Sequence, residues 1–153
     1  MLKIKKSENA DTRSAKGNVS KEDLIKNSLS HIQDVVNVGN WFADLLKEQV
    51  LKHDYTKIED IDMFYKDFTS GMQGQAFKEL EWYKKHLTER HHLNDRCPED
   101  VNLIDVLEMV IDCSVAGLAR SGEIYPIKIE NEILQKAVEN TKKLIVNNVK
   151  VIE

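Results

Sequence analysis

Residues 51–57 read LKHDYTK, which puts His53 beside Asp54 and Lys57 three residues further on. Neutral imidazole offers a nitrogen lone pair to a transition metal, and a carboxylate has two oxygens to share between ions. The same residues also read as the polar end of a helix, with Lys57 ion-paired to Asp54 across three positions. Adjacent helical side chains point about 100° apart. His53 and Asp54 can therefore converge on one ion only from a helix end or beside a cleft.

The chain has five histidines, and the other four are His31, His86, His91 and His92. His31 falls on a helical stripe with Leu24, Val35, Val38 and Phe42, so it is expected to point inward, as a hydrogen-bonded core residue or as a ligand. His86 closes a helical pattern, and His91 and His92 follow in HLTERHHLND. Those spacings do not share one helical face. The three converge only if the helix ends between them; otherwise they decorate a solvated helix end.

Carboxylates supply the remaining signal. VNLIDVLEMVIDCSVAGLA is apolar nearly all round, which predicts a largely buried helix. Asp105, Glu108 and Asp112 interrupt it at spacings that put all three on one line. That line is either a narrow solvent stripe or the wall of a polar interior site. An interior line needs cations, because buried unpaired carboxylates are costly.

The elements that must carry these residues read as helices. Residues 1–18 are polar, aperiodic and without aromatic residues, and are expected as a flexible tail before a single domain over 19–153. Ser20 is placed to cap a long helix reaching about Lys52. Shorter helices are expected over 58–68 and 76–88, separated by a loop containing Gly71 and Gly74. A further helix is expected over 99–120, with Pro98 suited to its first turn and Ser121–Gly122 ending it. The last runs over 130–148, and VKVIE after it reads as a short strand or a frayed end. The expected fold class is all-α, a single-domain helical bundle of about five to six helices.

Taken in chain order, His31, His53–Asp54 with Lys57, His86, the pair His91–His92, and Asp112 resemble the HD-domain superfamily. The resemblance implies an all-α fold around a mono- or polynuclear metal centre. Its minimal pattern falls on His31, His53, Asp54 and Asp112. The lysine after the aspartate, the further histidine and the histidine pair resemble the extended HD-GYP type of site. WYKKHLTERHHL followed by VLEMVIDC is similar to a group of small phage and bacterial HD-like proteins, with the likeness covering roughly residues 28–122. The chain departs from the HD-GYP pattern in three ways. The step from His86 to His91 is shorter, Thr56 stands where a glycine usually precedes the lysine, and no GYP follows the histidine pair. The metal site is therefore carried over and the cyclic-di-GMP activity is not.

On this resemblance Asp54 would bridge two ions. His31, His53 and Asp112 would complete one, and His86 with His91 or His92 the other. Lys57 would contact a phosphate oxygen, and Glu108 would orient a ligand or water from behind. Arg90 and Arg120 are phosphate contacts or surface residues, and Trp41 and Trp82 are core residues or stacking platforms for a base. Mixed imidazole and carboxylate ligands suit one or two ions of Mn, Fe, Co, Ni or Zn. The implied activity is metal-dependent hydrolysis of a nucleotide or related phosphate ester. A di-iron oxygenase, and a non-catalytic nucleotide-binding or adaptor protein with a structural metal, are the alternatives on the same residues.

Composition limits the partners. The 153 residues carry a formal charge of −4, so no basic field draws the chain to nucleic acid or to an anionic membrane. No apolar run nears the roughly 18 residues that span a bilayer. The first residues hold no apolar core of a secretory signal. Cys97 and Cys113 form no CxxC pair and read as free thiols in a reducing cytoplasm. The expected partner is a small phosphate-bearing molecule, and a homo-oligomer is compatible with the sequence.

Overall fold

A computed structural model describes residues 1–152. Among them are seven α-helices and two short strands, an all-α architecture with one small sheet. The chain divides into two compact units, Met1–Leu45 with Lys142–Glu153, and Leu46–Thr141.

In the first unit β1 (Leu2–Lys5) pairs in parallel with β2 (Val149–Ile152), with Leu2 opposite Val149. β1 lies within the stretch expected as a flexible tail. LKIK alternates apolar and charged residues, and its two apolar side chains are half-buried while both lysines are exposed. A four-residue strand signals weakly in a sequence, and here its partner lies at the far end of the chain.

The long helix α1 covers Lys21–Val50. Ser20 caps it as expected, its hydroxyl accepting from the Asp23 N–H at 3.1 Å and donating to the Asp23 carboxylate at 2.7 Å. The expected inward stripe is not buried. No residue of α1 is buried, Val35 is 58% exposed, and His31 is exposed. Periodicity decides which residues share a face and not whether anything covers it.

The second unit holds α2 (Thr56–Glu59), α3 (Ile61–Phe68), α4 (Gln75–Lys78), α5 (Glu81–His86), α6 (Leu103–Ser121) and the first part of α7 (Asn131–Asn148). Each of the two short helices expected here is split. The second breaks at Leu80, which is extended, and the Asp67 carboxylate of α3 accepts the Trp82 N–H at 2.9 Å. A cap supplied from another helix is invisible to local periodicity.

The helix expected from residue 99 starts at Leu103 instead. Asn102 accepts the Ile104 N–H, Asp105 accepts the Asn102 N–H, and Pro98 closes a turn upstream. Gly122 ends α6 in the left-handed region, φ 78°. Inside α6, a Cβ on Gly117 would fall 2.4 Å from the Glu123 carbonyl oxygen, so only glycine lets the following segment lie across the helix.

The apolar core gathers Leu93, Val101, Met109 and Ala137, with Cys97, Val106, Cys113, Ile129 and Ile133 against it. Both cysteines are free. α6 is less buried than its composition suggests: it hides Asp105 and Glu108 and exposes Leu107, Ile111, Val115 and Leu118. Among the described residues no helix is long and apolar enough to cross a membrane.

Candidate metal centre

The turn after α1 answers how neighbouring residues converge. Asp54 has φ 56°, the single non-glycine residue with positive φ among those described. Aspartate tolerates this region better than most residues because its short side chain bonds locally. The turn brings His53 Nε2 to 3.5 Å from Asp54 Oδ2. Lys57 ion-pairs with the same oxygen, as the spacing predicts.

Three sets of potential ligand atoms cluster there, and none includes His31. They are His53, His91 and Asp112; Asp54, His91 and His92; and Asp54, His86 and Glu89. Asp54 and His91 belong to two sets each. Asp54 Oδ1 lies 3.5 Å from His86 Nε2 and 3.7 Å from His91 Nε2, and Asp112 Oδ1 lies 3.4 Å from His53 Nε2. Both His91 and His92 enter the cluster.

Hydrogen-bond bookkeeping fixes which ring nitrogens are bare. The Thr56 hydroxyl donates its one proton to Glu89 Oε1 at 2.5 Å. His86 Nδ1, 2.8 Å from that hydroxyl, must therefore donate to it, which leaves Nε2 with its lone pair. His92 Nε2 faces that atom at 3.0 Å. On the other side His53 Nδ1 donates to Glu108 Oε1 at 3.0 Å, so its Nε2 is turned toward Asp54 and Asp112. His91 Nε2 is buried without any hydrogen-bond partner. A buried polar atom without a partner is uncommon. A cation between His91 and Asp54 would satisfy it, and the donor set of imidazoles and carboxylates fits a divalent transition metal.

Electrostatics divides the cluster. His53 is pushed up to about 10 by its hydrogen bonds to Asp112 and Glu108, which outweigh its burial. Burial, helped by neighbouring His91 and His86, pushes His92 down to about 4. Burial also lowers His86 and His91. Burial alone would raise the Asp54 carboxyl, but the hydrogen bond and charge of Lys57 hold it below its usual range. Asp112 is lowered chiefly by its bond to His53.

The acidic line of α6 faces the interior and is no solvent stripe. Glu108 accepts from Gln49 at 2.7 Å as well as from His53. Asp105 is wholly buried and takes a two-pronged bond from Arg90, at 2.7 and 2.8 Å. Arg90 also bonds Asp100, so its guanidinium is occupied in holding α6 rather than offered to a phosphate. Arg120 is exposed and lines a cavity of about 690 Å³ together with Lys57, Asp54, His86, His92 and Asp112.

Sequence reasoning missed Thr56, Glu89 and Gln49. Glu89 stands three residues after His86 and Gln49 four before His53, so each is one helical turn from a histidine. That spacing was the available signal. Trp82 is a core residue, 2% exposed, stacked on His86 at 4.8 Å and bonded through Nε1 to the Thr56 carbonyl. Trp41 is half-buried, edge-on to Phe42.

In comparisons with known proteins the chain matches no family model, no curated protein and no solved structure.

Proposed function

We propose that this cluster is the active site of a metal-dependent phosphohydrolase, of the kind the HD-domain resemblance implies. The observation that carries the reading is the convergence of His53, His86, His91 and His92 with Asp54 and Asp112, next to a cavity that Lys57 and Arg120 also line. His53, His91 and Asp112 would hold one divalent ion. Asp54 with His86, Glu89 or His92 would hold a second.

When bound, such ions make water acidic enough to attack near neutral pH and offset charge on phosphoryl oxygens. The chain's own residues do the rest. Glu108 and Thr56 hold the His53 and His86 rings with Nε2 turned into the cluster. Lys57 brings positive charge to the cavity wall, where phosphoryl oxygens gain negative charge. In the reaction a water oxygen bonds to phosphorus as the bond from phosphorus to the ester oxygen breaks. The departing oxygen takes up a proton, giving an alcohol and a phosphate.

The test is phosphate release from a panel of phosphate mono- and diesters by protein loaded with Mn, Co, Fe or Zn. Release that chelation abolishes, and that Lys57→Ala cuts about 10²-fold or more with metal retained, supports the reading. No release from any ester by fully loaded protein contradicts it, and oxygen consumption by the iron form would transfer the site to oxygenase chemistry.

A further inference from the structure

The cavity beside the cluster has a second wall that the hydrolytic chemistry does not use. Phe64, Phe68, Phe77, Tyr83 and Met72 line it, on α3, the following loop, α4 and α5. Phe68 is 68% exposed and Met72 50%, although both face the cavity. Phe64 stacks on Trp82 at 3.9 Å and 24°, and Trp82 stacks on His86 at 4.8 Å and 12°. One continuous stack therefore fixes the aromatic wall relative to the ligand cluster. Phe68 meets Phe64 edge-on at 5.8 Å, and Tyr83 meets Phe77 edge-on at 5.3 Å.

We infer that this wall is a subsite for a flat heteroaromatic ring, such as a nucleobase, on the organic half of the ester, and that it recognises the ring by its face and not by its edge. This rests on the phosphohydrolase reading of the cluster. The cavity, at about 690 Å³, lies in the range that holds small organic ligands. Aromatic side chains bind the face of any base, since every base has one. Edge recognition needs several aimed donors and acceptors, and such sites reject a ligand that leaves them unpaired. Outside the ligand cluster and the two cations, the polar side chains in the lining are Gln73, Tyr83 and Trp82, and the Trp82 Nε1 proton is already taken by the Thr56 carbonyl. The site therefore separates ring-bearing esters from bare sugar phosphates and treats purines and pyrimidines alike.

The probes are the uncleavable 5′-methylenephosphonates of adenosine, guanosine, cytidine, uridine and ribose, titrated calorimetrically into the full metal-loaded chain. The four nucleoside analogues should bind about ten-fold or more tighter than the ribose analogue, and within about five-fold of one another. Phe68→Ala, a change at an exposed residue, should remove most of that advantage and leave ribose analogue binding unchanged. Phe77→Leu, which keeps the volume apolar, should remove part of it. A spread of about 100-fold among the four bases, or equal weakening of all five analogues by Phe68→Ala, overturns the inference. Phosphate release from the parent esters is scored separately. Ring-selective binding without release leaves the subsite standing and removes the hydrolase reading, and release without ring selectivity does the reverse.

Discussion

The two ends of the histidine cluster are built by opposite means. At one end His53 is surrounded by Glu108, Asp112 and Asp54, and its affinity for a proton rises to about 10. At the other, His86 and His92 lie among Trp82, Thr56 and each other, and burial favours the neutral form of both rings. The acidic end attracts positive charge, and the buried end presents uncharged nitrogen donors. An ion that needs both would sit between them, and Asp54 reaches both, with Oδ2 toward His53 and Oδ1 toward His86 and His91.

The largest effect is expected from removing the scaffold of the buried end. Trp82→Ala takes out the ring stacked on His86 and Phe64 and the bond to the Thr56 carbonyl. It should destabilise the second unit by about 3–5 kcal/mol, read by thermal or denaturant unfolding of the metal-free protein.

Two milder changes separate the ends. Thr56→Val keeps the shape but strips the proton from Glu89 and the acceptor from His86 Nδ1. Stability should fall by about 1–3 kcal/mol, because Glu89 and His86 are left buried and partly unpaired. Glu108→Gln leaves the volume intact and weakens the hold on His53. Each should cost about 10–100-fold in metal affinity by competition with a chelator. Nuclear magnetic resonance of the imidazole nitrogens sharpens the distinction. Thr56→Val should alter the His86 tautomer and spare His53, and Glu108→Gln should do the converse.

The smallest effect is expected at Arg120, which is exposed and lies outside the ligand cluster. Arg120→Ala should raise KM for a phosphate ester about three- to ten-fold while leaving metal content and melting temperature unchanged.

Much of this site is written in local spacing, and some of it is not. The HD pair, the histidine pair and the acid line of α6 are legible because each sits within a turn or two of chain. Their convergence depended on whether helices end where chemistry needs them to, and Asp54 and the break after His86 supply those ends. The stripe that carries His31 predicts an inward side chain, but α1 buries none of its residues and His31 joins no ligand set. Thr56 was visible only as a departure from a glycine pattern. Its role appears once α2 and α5 are side by side, because its partners His86 and Glu89 are about thirty residues away. The same limit hid the strand pair β1–β2 and the capping of α5 by Asp67, since each joins residues whose local sequence carries no trace of the other. The sequence leaves Arg90 as a phosphate contact or a surface residue, and the buried Asp105 that occupies its guanidinium lies fifteen residues on.

Elemental analysis of the purified chain beside Asp54→Ala is the decisive experiment, since the two Asp54 oxygens face opposite ends of the cluster. About one or two transition-metal ions per chain are expected in the wild type, as for a mono- or dinuclear site, and almost none in the variant, with both proteins folded by circular dichroism. Wild-type protein that takes up no metal after reconstitution, or a variant that retains it in full, would rule out the metal centre and return His53, Asp54 and Lys57 to the polar end of a helix.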